Sequence, residues 1–186
     1  PFSNGIQIER ELYDDDRHGI WERRPVALAQ SAQRTRQKHG ARIFNNAASV
    51  DTFFYNNSEG VALCSDSHTT TSVGVSTAQG FDNNVTTALT AVGLAAARVQ
   101  MINFRGDRAE KISVVPSMLL IPPDLYEIAF EIVESMGKVD TANNNANFHQ
   151  GKYKLVVWDR LTDTNNWFLT NYDMQKEYLI WWNRES

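Results

Sequence analysis

The chain has 186 residues, 42% of them hydrophobic and 11% aromatic, with a formal net charge of −4 at pH 7. That is enough apolar material for one ordinary domain, or a domain with an extended appendage, and the acidic balance argues against a nucleic-acid binder, which concentrates basic charge on one face. Cys64 is the only cysteine, so no internal disulfide forms, and the absence of a run of about 20 apolar residues points to a soluble protein.

Residues 3–16 (SNGIQIERELYDDD) alternate loosely and then turn acidic, the pattern of an extended arm or hairpin leg. Asp14-Asp15-Asp16 suits the start of a following helix, where free N–H groups and the macrodipole favour negative charge. Side chains of consecutive residues on an extended chain point to opposite faces, so the triplet converges poorly on a metal ion. From about Arg17 to Asn46 the spacing predicts a long, polar, Ala- and Gln-rich helix with Trp21, Leu28, Ala32 and Thr35 on one face. Pro25 kinks it or marks where its continuous part begins. At ~1.5 Å per residue the helix spans about 30–45 Å, longer than a compact domain of this size needs. Its narrow apolar stripe suits a helix lying across a domain or against another subunit. The basic run Arg34–Arg42 is read as its solvated side.

Residues 51–81 are turn-rich, with strand candidates at Thr52–Tyr55 and Val61–Cys64 and a loop at SDSHTTTSVGVSTAQG. The Asp82-Asn83-Asn84 cluster offers N-cap side chains for a second helix, along which Val85, Leu89, Val92, Ala96 and Val99 recur at helical spacing. Gly106-Asp107 ends that unit in a turn. A strand around Ile112–Ile121, bent at Pro116, stops at Pro122-Pro123, because neither proline can donate to a ladder. Asp124 with Glu127 forms a capping pattern for a third helix. That helix places Leu125, Ile128, Ala129, Ile132, Val133 and Met136 on one stripe and ends near Gly137. An Asn-rich loop, TANNNANFHQG, leads to strands at Tyr153–Trp158, Trp167–Asn171 and Tyr178–Trp182. The whole reads as α+β. Pro1 at the start and the uncovered apolar run Tyr178–Trp182 at the end suggest a piece of a longer protein.

Chemistry is sparse. Cys64, Asp66, Ser67 and His68 lie within five residues, but triads and zinc sites are assembled from distant segments on a rigid scaffold. Only His149 offers a distal ligand, so C-S-D-S-H is read as a polar turn. Phosphate-binding glycine loops and the zinc-protease and hydrolase motifs are absent. The carboxylate pairs Asp159/Asp163 and Glu127/Glu131 flank a turn and cover the wet face of a helix. Trp158, Trp167, Phe168, Tyr172, Tyr178, Trp181 and Trp182 allow a carbohydrate-stacking platform, although such residues more often fill a core or an interface.

Four segments, in order, resemble the major head protein of Mu-type tailed phages. IERELYDDDRHGIWERRPVALAQSA is similar to the leg of that family's extended loop and the start of its spine helix. VALCSDSH carries Leu63 and His68 at the places of its L-x-x-x-x-H segment. ISVVPSMLLIPPDLYEIAFEIVES resembles its strand, proline stop and helix, with Ile121-Pro122-Pro123 where the family has V-P-P. KYKLVVWDRLTDTNNWFLTN holds Leu161, Thr162, Trp167 and Leu169 in register with its turn and final strand.

The resemblance implies an α+β protein of the Hong Kong 97-like major capsid fold. Residues 1–16 would belong to the extended loop or arm, 17–50 to the spine helix of a peripheral domain, and 51–175 mainly to the axial domain. Residues 176–186 would form a strand returning toward the peripheral domain. It implies a structural, non-enzymatic subunit with no catalytic, cofactor or metal site. The chain would self-assemble through pentamers and hexamers into an icosahedral shell around double-stranded DNA, in the host cytoplasm, with no membrane partner. Scaffold, portal and decoration proteins are the further partners it suggests. The alternative from the residues is a non-enzymatic α+β module binding carbohydrate or peptide through the Trp- and Tyr-rich C-terminal strands. A hydrolase using Cys64 or Asp66 with His68 is the remaining reading.

Overall fold

A computed structural model describes residues 3–14, 19–53, 59–137 and 145–181. The chain divides into two compact units, Pro1–Phe44 and Asn45–Ser186. Asp15, Asp16, Arg17, Phe54, Tyr55, Asn143, Asn144, Trp182 and the side chain of Trp21 lie outside the described residues.

In the first unit, residues 3–9 have no regular structure. The expected arm then turns helical at α1 (Arg10–Asp14), where Arg10 Nε lies 3.6 Å from Asp14 Oδ2 one turn on. Helix α2 (Ile20–Asn45) has 26 residues, about 39 Å at ~1.5 Å per residue. Pro25 lies inside it rather than at its start; with no N–H, it cannot donate to the carbonyl of Trp21. On the expected face Leu28 and Thr35 are half-buried and Ala32 is exposed, while Ala41 and Phe44 in the last turn are buried.

The second unit is built around a three-stranded sheet of order β2–β1–β3, from β1 (Met118–Ile121), β2 (Lys154–Val157) and β3 (Phe168–Thr170). The central strand is buried throughout, which explains why MLLI is apolar at every position rather than alternating. β1 runs parallel to β2, in register Met118 with Lys154, and antiparallel to β3, Leu119 opposite Leu169. A parallel pair needs a long crossover. Here it contains the 3-10 turn Pro123–Leu125 and α4 (Tyr126–Glu134). Strand β1 is shorter than the expected Ile112–Ile121: only its last four residues pair, and Pro116 lies outside it.

The core joins Leu89, Leu94, Leu119, Ile121, Ala129, Ile132, Val133 and Tyr153, with Trp167 and Leu169 packed against it. Burying such side chains is worth about 1.5–3 kcal/mol each, the main stabilising term.

Several expectations are corrected. The second helix, α3 (Ala91–Ile102), begins nine residues after Asp82, because Thr90 is its N-cap and accepts from the Gly93 N–H at 3.0 Å. Asn83 bonds elsewhere: its Oδ1 accepts from the Ser65 N–H and its Nδ2 donates to the Leu63 carbonyl, both at 2.8 Å. That side-chain bracket replaces a strand at Val61–Cys64. The inward face of α3 is Gly93, Leu94, Ala97 and Met101, and Val92, Ala96 and Val99 are exposed.

Helix α4 ends at Glu134, not Gly137. Its last carbonyls are closed by the Asn-rich loop, where Asn147 Nδ2 donates to Ile132 at 2.7 Å and the Gly151 N–H to Val133 at 2.9 Å, and by the C-cap Ser135, whose Oγ donates to Glu131 at 2.6 Å. The D-x-x-E pattern makes no side-chain cap, the prolines starting the turn instead. Finally, the expected strand at Tyr178–Trp182 is absent up to Trp181. Before it lies α5 (Tyr172–Tyr178), capped by Asn171, whose Oδ1 accepts from the N–H groups of Asp173 and Met174, and residues 179–181 have no regular structure.

Candidate assembly surface

The polar turn C-S-D-S-H is a local clamp. His68 Nε2 lies 3.3 Å from the Leu63 carbonyl and Nδ1 lies 3.1 Å from Glu59 Oε2. Glu59 also accepts from the backbone N–H of Thr69 and its hydroxyl. The Thr69 N–H, then the His68 ring, hold the Glu59 carboxyl below its ordinary range. Neither His68 nitrogen is directed at Cys64, and burial pushes the Cys64 thiol up, away from a thiolate nucleophile. Asp66 bonds the adjacent Ser67 hydroxyl.

A second clamp lies in the Gly106–Glu110 turn, where the Gly106 N–H donates to the Glu110 carbonyl. Asp107 gathers the hydroxyls of Thr70, Thr71 and Ser72 and the Thr71 N–H, at 2.9 Å for the last. The Thr70 hydroxyl, followed by Ser72 and Thr71, holds the Asp107 carboxyl well below the usual range. These clamps order a loop of Ser and Thr. The sequence signal for them was slight: two acids, Glu59 and Asp107, beside glycine turns.

His149 is buried beneath α3, its Nε2 donating to the Ala91 carbonyl at 3.2 Å and its Nδ1 at 3.5 Å from the Tyr153 hydroxyl. Burial, aided by Lys152 and Arg98 and opposed by the Ala91 carbonyl, lowers its pKa. His149 is therefore a neutral core polar group joining α3 to the loop before β2. Among the described residues no group of three or more His, Cys, Asp or Glu is arranged to hold a metal ion.

Two of the C-terminal aromatic residues are tied to neighbours in the chain. Trp167 packs on the core and donates Nε1 to the Thr87 carbonyl at 3.1 Å. The ammonium groups of Lys154 and Lys176 lie 4.9 and 4.1 Å from the centroid of the Tyr172 ring. What the chain presents to solvent instead is apolar surface on its helices: Tyr126, Ile128 and Phe130 of α4 are 47%, 44% and 49% exposed, Val92 of α3 is 78% exposed, and Tyr178, Leu179, Ile180 and Trp181 follow at the C-terminal end. Exposed side chains of this size, in several groups, mark surfaces that meet other proteins.

The family model of a phage capsid protein matches residues 2–186. The chain belongs to that family. No curated protein and no solved structure matches it. As a phage capsid protein it has a structural role in the virion, and its copies associate into the shell. The uncovered helix faces are what a shell subunit requires, because every contact in a shell is made from surface that the single chain leaves open. No helix among the described residues is long and apolar enough to cross a membrane.

Proposed function

We propose that this phage capsid protein is the major head subunit of a Mu-type tailed phage or prophage, with the Hong Kong 97-like fold. In this reading residues 1–16 reach over a neighbour, residues 17–50 are the spine of a peripheral domain, and residues 51–175 form most of the axial domain around five- and six-fold positions. Residues 176–186 lead back toward the peripheral domain, with the end of α5 at their start. Pentamers and hexamers close into an icosahedral shell around double-stranded DNA, assembled in the host cytoplasm. Scaffold, portal and decoration proteins are its partners, and it carries no enzymatic activity.

The observation that carries this reading is the family match running unbroken through arm, long helix and mixed α/β unit, together with the ordered Mu-type segments within it. The long half-polar α2 supports it: among the described residues, 22–38 are exposed apart from the half-buried Leu28 and Thr35, an arrangement costly in a monomer and useful where many copies pack.

The test is electron cryomicroscopy of the virions that contain this chain. The expected map shows the chain as the repeating shell subunit, with α2 as the long peripheral helix. A shell built from another protein, or a different subunit fold, would refute the proposal. Expression of the chain alone, followed by negative-stain microscopy and light scattering, should yield shells, tubes or capsomer rings.

A further inference from the structure

Helix α4 buries Ala129, Ile132 and Val133 and leaves its opposite face exposed among the described residues. At about 100° per residue that face has a fixed layout. Glu127, Glu131 and Glu134 form a ridge, Tyr126 and Phe130 flank it on one side, and Ile128 flanks it on the other, all six exposed. The glutamates make no ion pair among the described residues. Glu127 and Glu131 stand one turn apart, a like-charge spacing that weakens a helix with nothing opposite it.

Helix α2 has the complementary character. Its 26 residues carry six Lys or Arg and one acid, Glu22, whereas α4 carries three Glu and no basic residue. Arg23, Arg34 and Lys38 fall on one exposed stripe, and they too make no ion pair among the described residues. Arg34 and Lys38 repeat the one-turn spacing of Glu127 and Glu131, about 5–6 Å in both.

Resting on the capsid reading above, we propose that the basic stripe of α2 in one copy docks on the outer face of α4 in a second copy. The matched spacing pairs Arg34 and Lys38 with Glu127 and Glu131, and this relieves a like-charge pair on each helix at once. The apolar stems of Arg and Lys then cover the rings of Tyr126 and Phe130, where cation–π attraction adds to burial. Solvent-exposed charge pairs are screened by salt, so the contact weakens as ionic strength rises.

Two charge reversals test it: Arg34→Glu with Lys38→Glu, and Glu127→Lys with Glu131→Lys. Circular dichroism confirms that each variant folds, and sedimentation velocity with electron microscopy reads assembly. Each variant alone is expected to need about tenfold or more protein to assemble, since like charges then face each other. An equimolar mixture restores assembly, because each copy finds the opposite charge on its neighbour. Unimpaired assembly of either variant alone overturns the pairing. So does rescue by the fourfold variant without rescue by mixing, which places the pairing within one copy. For a variant that fails to fold, Arg34→Gln with Lys38→Gln replaces it, and an unchanged salt dependence of assembly sinks the pairing. An unaltered chain that stays monomeric counts against the capsid reading itself and removes the pairing with it.

Discussion

At the residue scale, order in the long loops comes from single polar side chains placed against backbone. Asn83 brackets residues 63–65, Asp107 gathers residues 70–72, and Asn147 closes α4. Glu59 and Asp107 both titrate below their ordinary values. Their contribution is present above the unfolded carboxylate range and disappears as pH falls through it toward the folded values. Amide protection at Thr69 and Thr71 should therefore fall below about pH 4 while the core stays protected, and Asp107→Ala should expose Thr71 at neutral pH; hydrogen exchange reads both. His149 acts earlier on the acid side. Its lowered pKa means that the unfolded chain takes up a proton first, so stability declines as pH drops below about 6.5. Arg98 and Lys152, the charges that face it, add to the cost of a second cation there. Denaturation midpoints measured against pH should lose that slope in His149→Gln. Gly93 gives a further expectation: alanine normally improves a helix by up to about 1 kcal/mol, yet here its Cβ would lie 2.8 Å from the Ala88 carbonyl oxygen. Gly93→Ala should destabilise by about 1–3 kcal/mol in urea unfolding.

Elements show where reading a period succeeds and where it fails. Strand β1 and the inward Ala129, Ile132 and Val133 of α4 were legible because a proline stop and a dense apolar stripe coincide there. The helix through Val99 was legible in existence but not in orientation. Apolar residues ring α3 on several sides, and Thr90, rather than the Asp82–Asn84 cluster, starts it. Leu94→Ala should therefore cost about 2–5 kcal/mol, while Val92→Ser should stay within about 0.5 kcal/mol; thermal or urea unfolding of the two separates the faces. The C-terminal segment misled in another way. Tyr178–Trp181 is apolar enough for a strand, but Asn171 with Asp173 and Lys176 sets up a short helix just before it.

For the whole molecule, the decisive property is what remains uncovered. Residues 22–38 of α2, the outer face of α4 and the run from Tyr178 to Trp181 bury little among the described residues. Helices in proteins owe most of their stability to tertiary packing, and isolated ones are marginal in water. Amides in α2 before its last turn are thus expected to exchange faster in the free chain than in assembled particles. Equal protection in the two states would mean that α2 lies outside the contacts. Cys64 and His68 are neighbours in sequence, but the loop turns both imidazole nitrogens toward Leu63 and Glu59.

The sequence by itself determined the α+β class, the long polar helix, the buried strand with its proline stop, and a resemblance to phage head proteins consistent with the family match. These follow from local composition and period, which need no knowledge of what lies opposite. Only the tertiary structure decided which face of α3 turns inward, that Asn147 rather than Gly137 closes α4, and that Glu127 and Glu131 stand without counter-charges among the described residues. Each of these depends on partners far away in sequence, and hydrogen-bond geometry and burial are set by those partners rather than by neighbours along the chain.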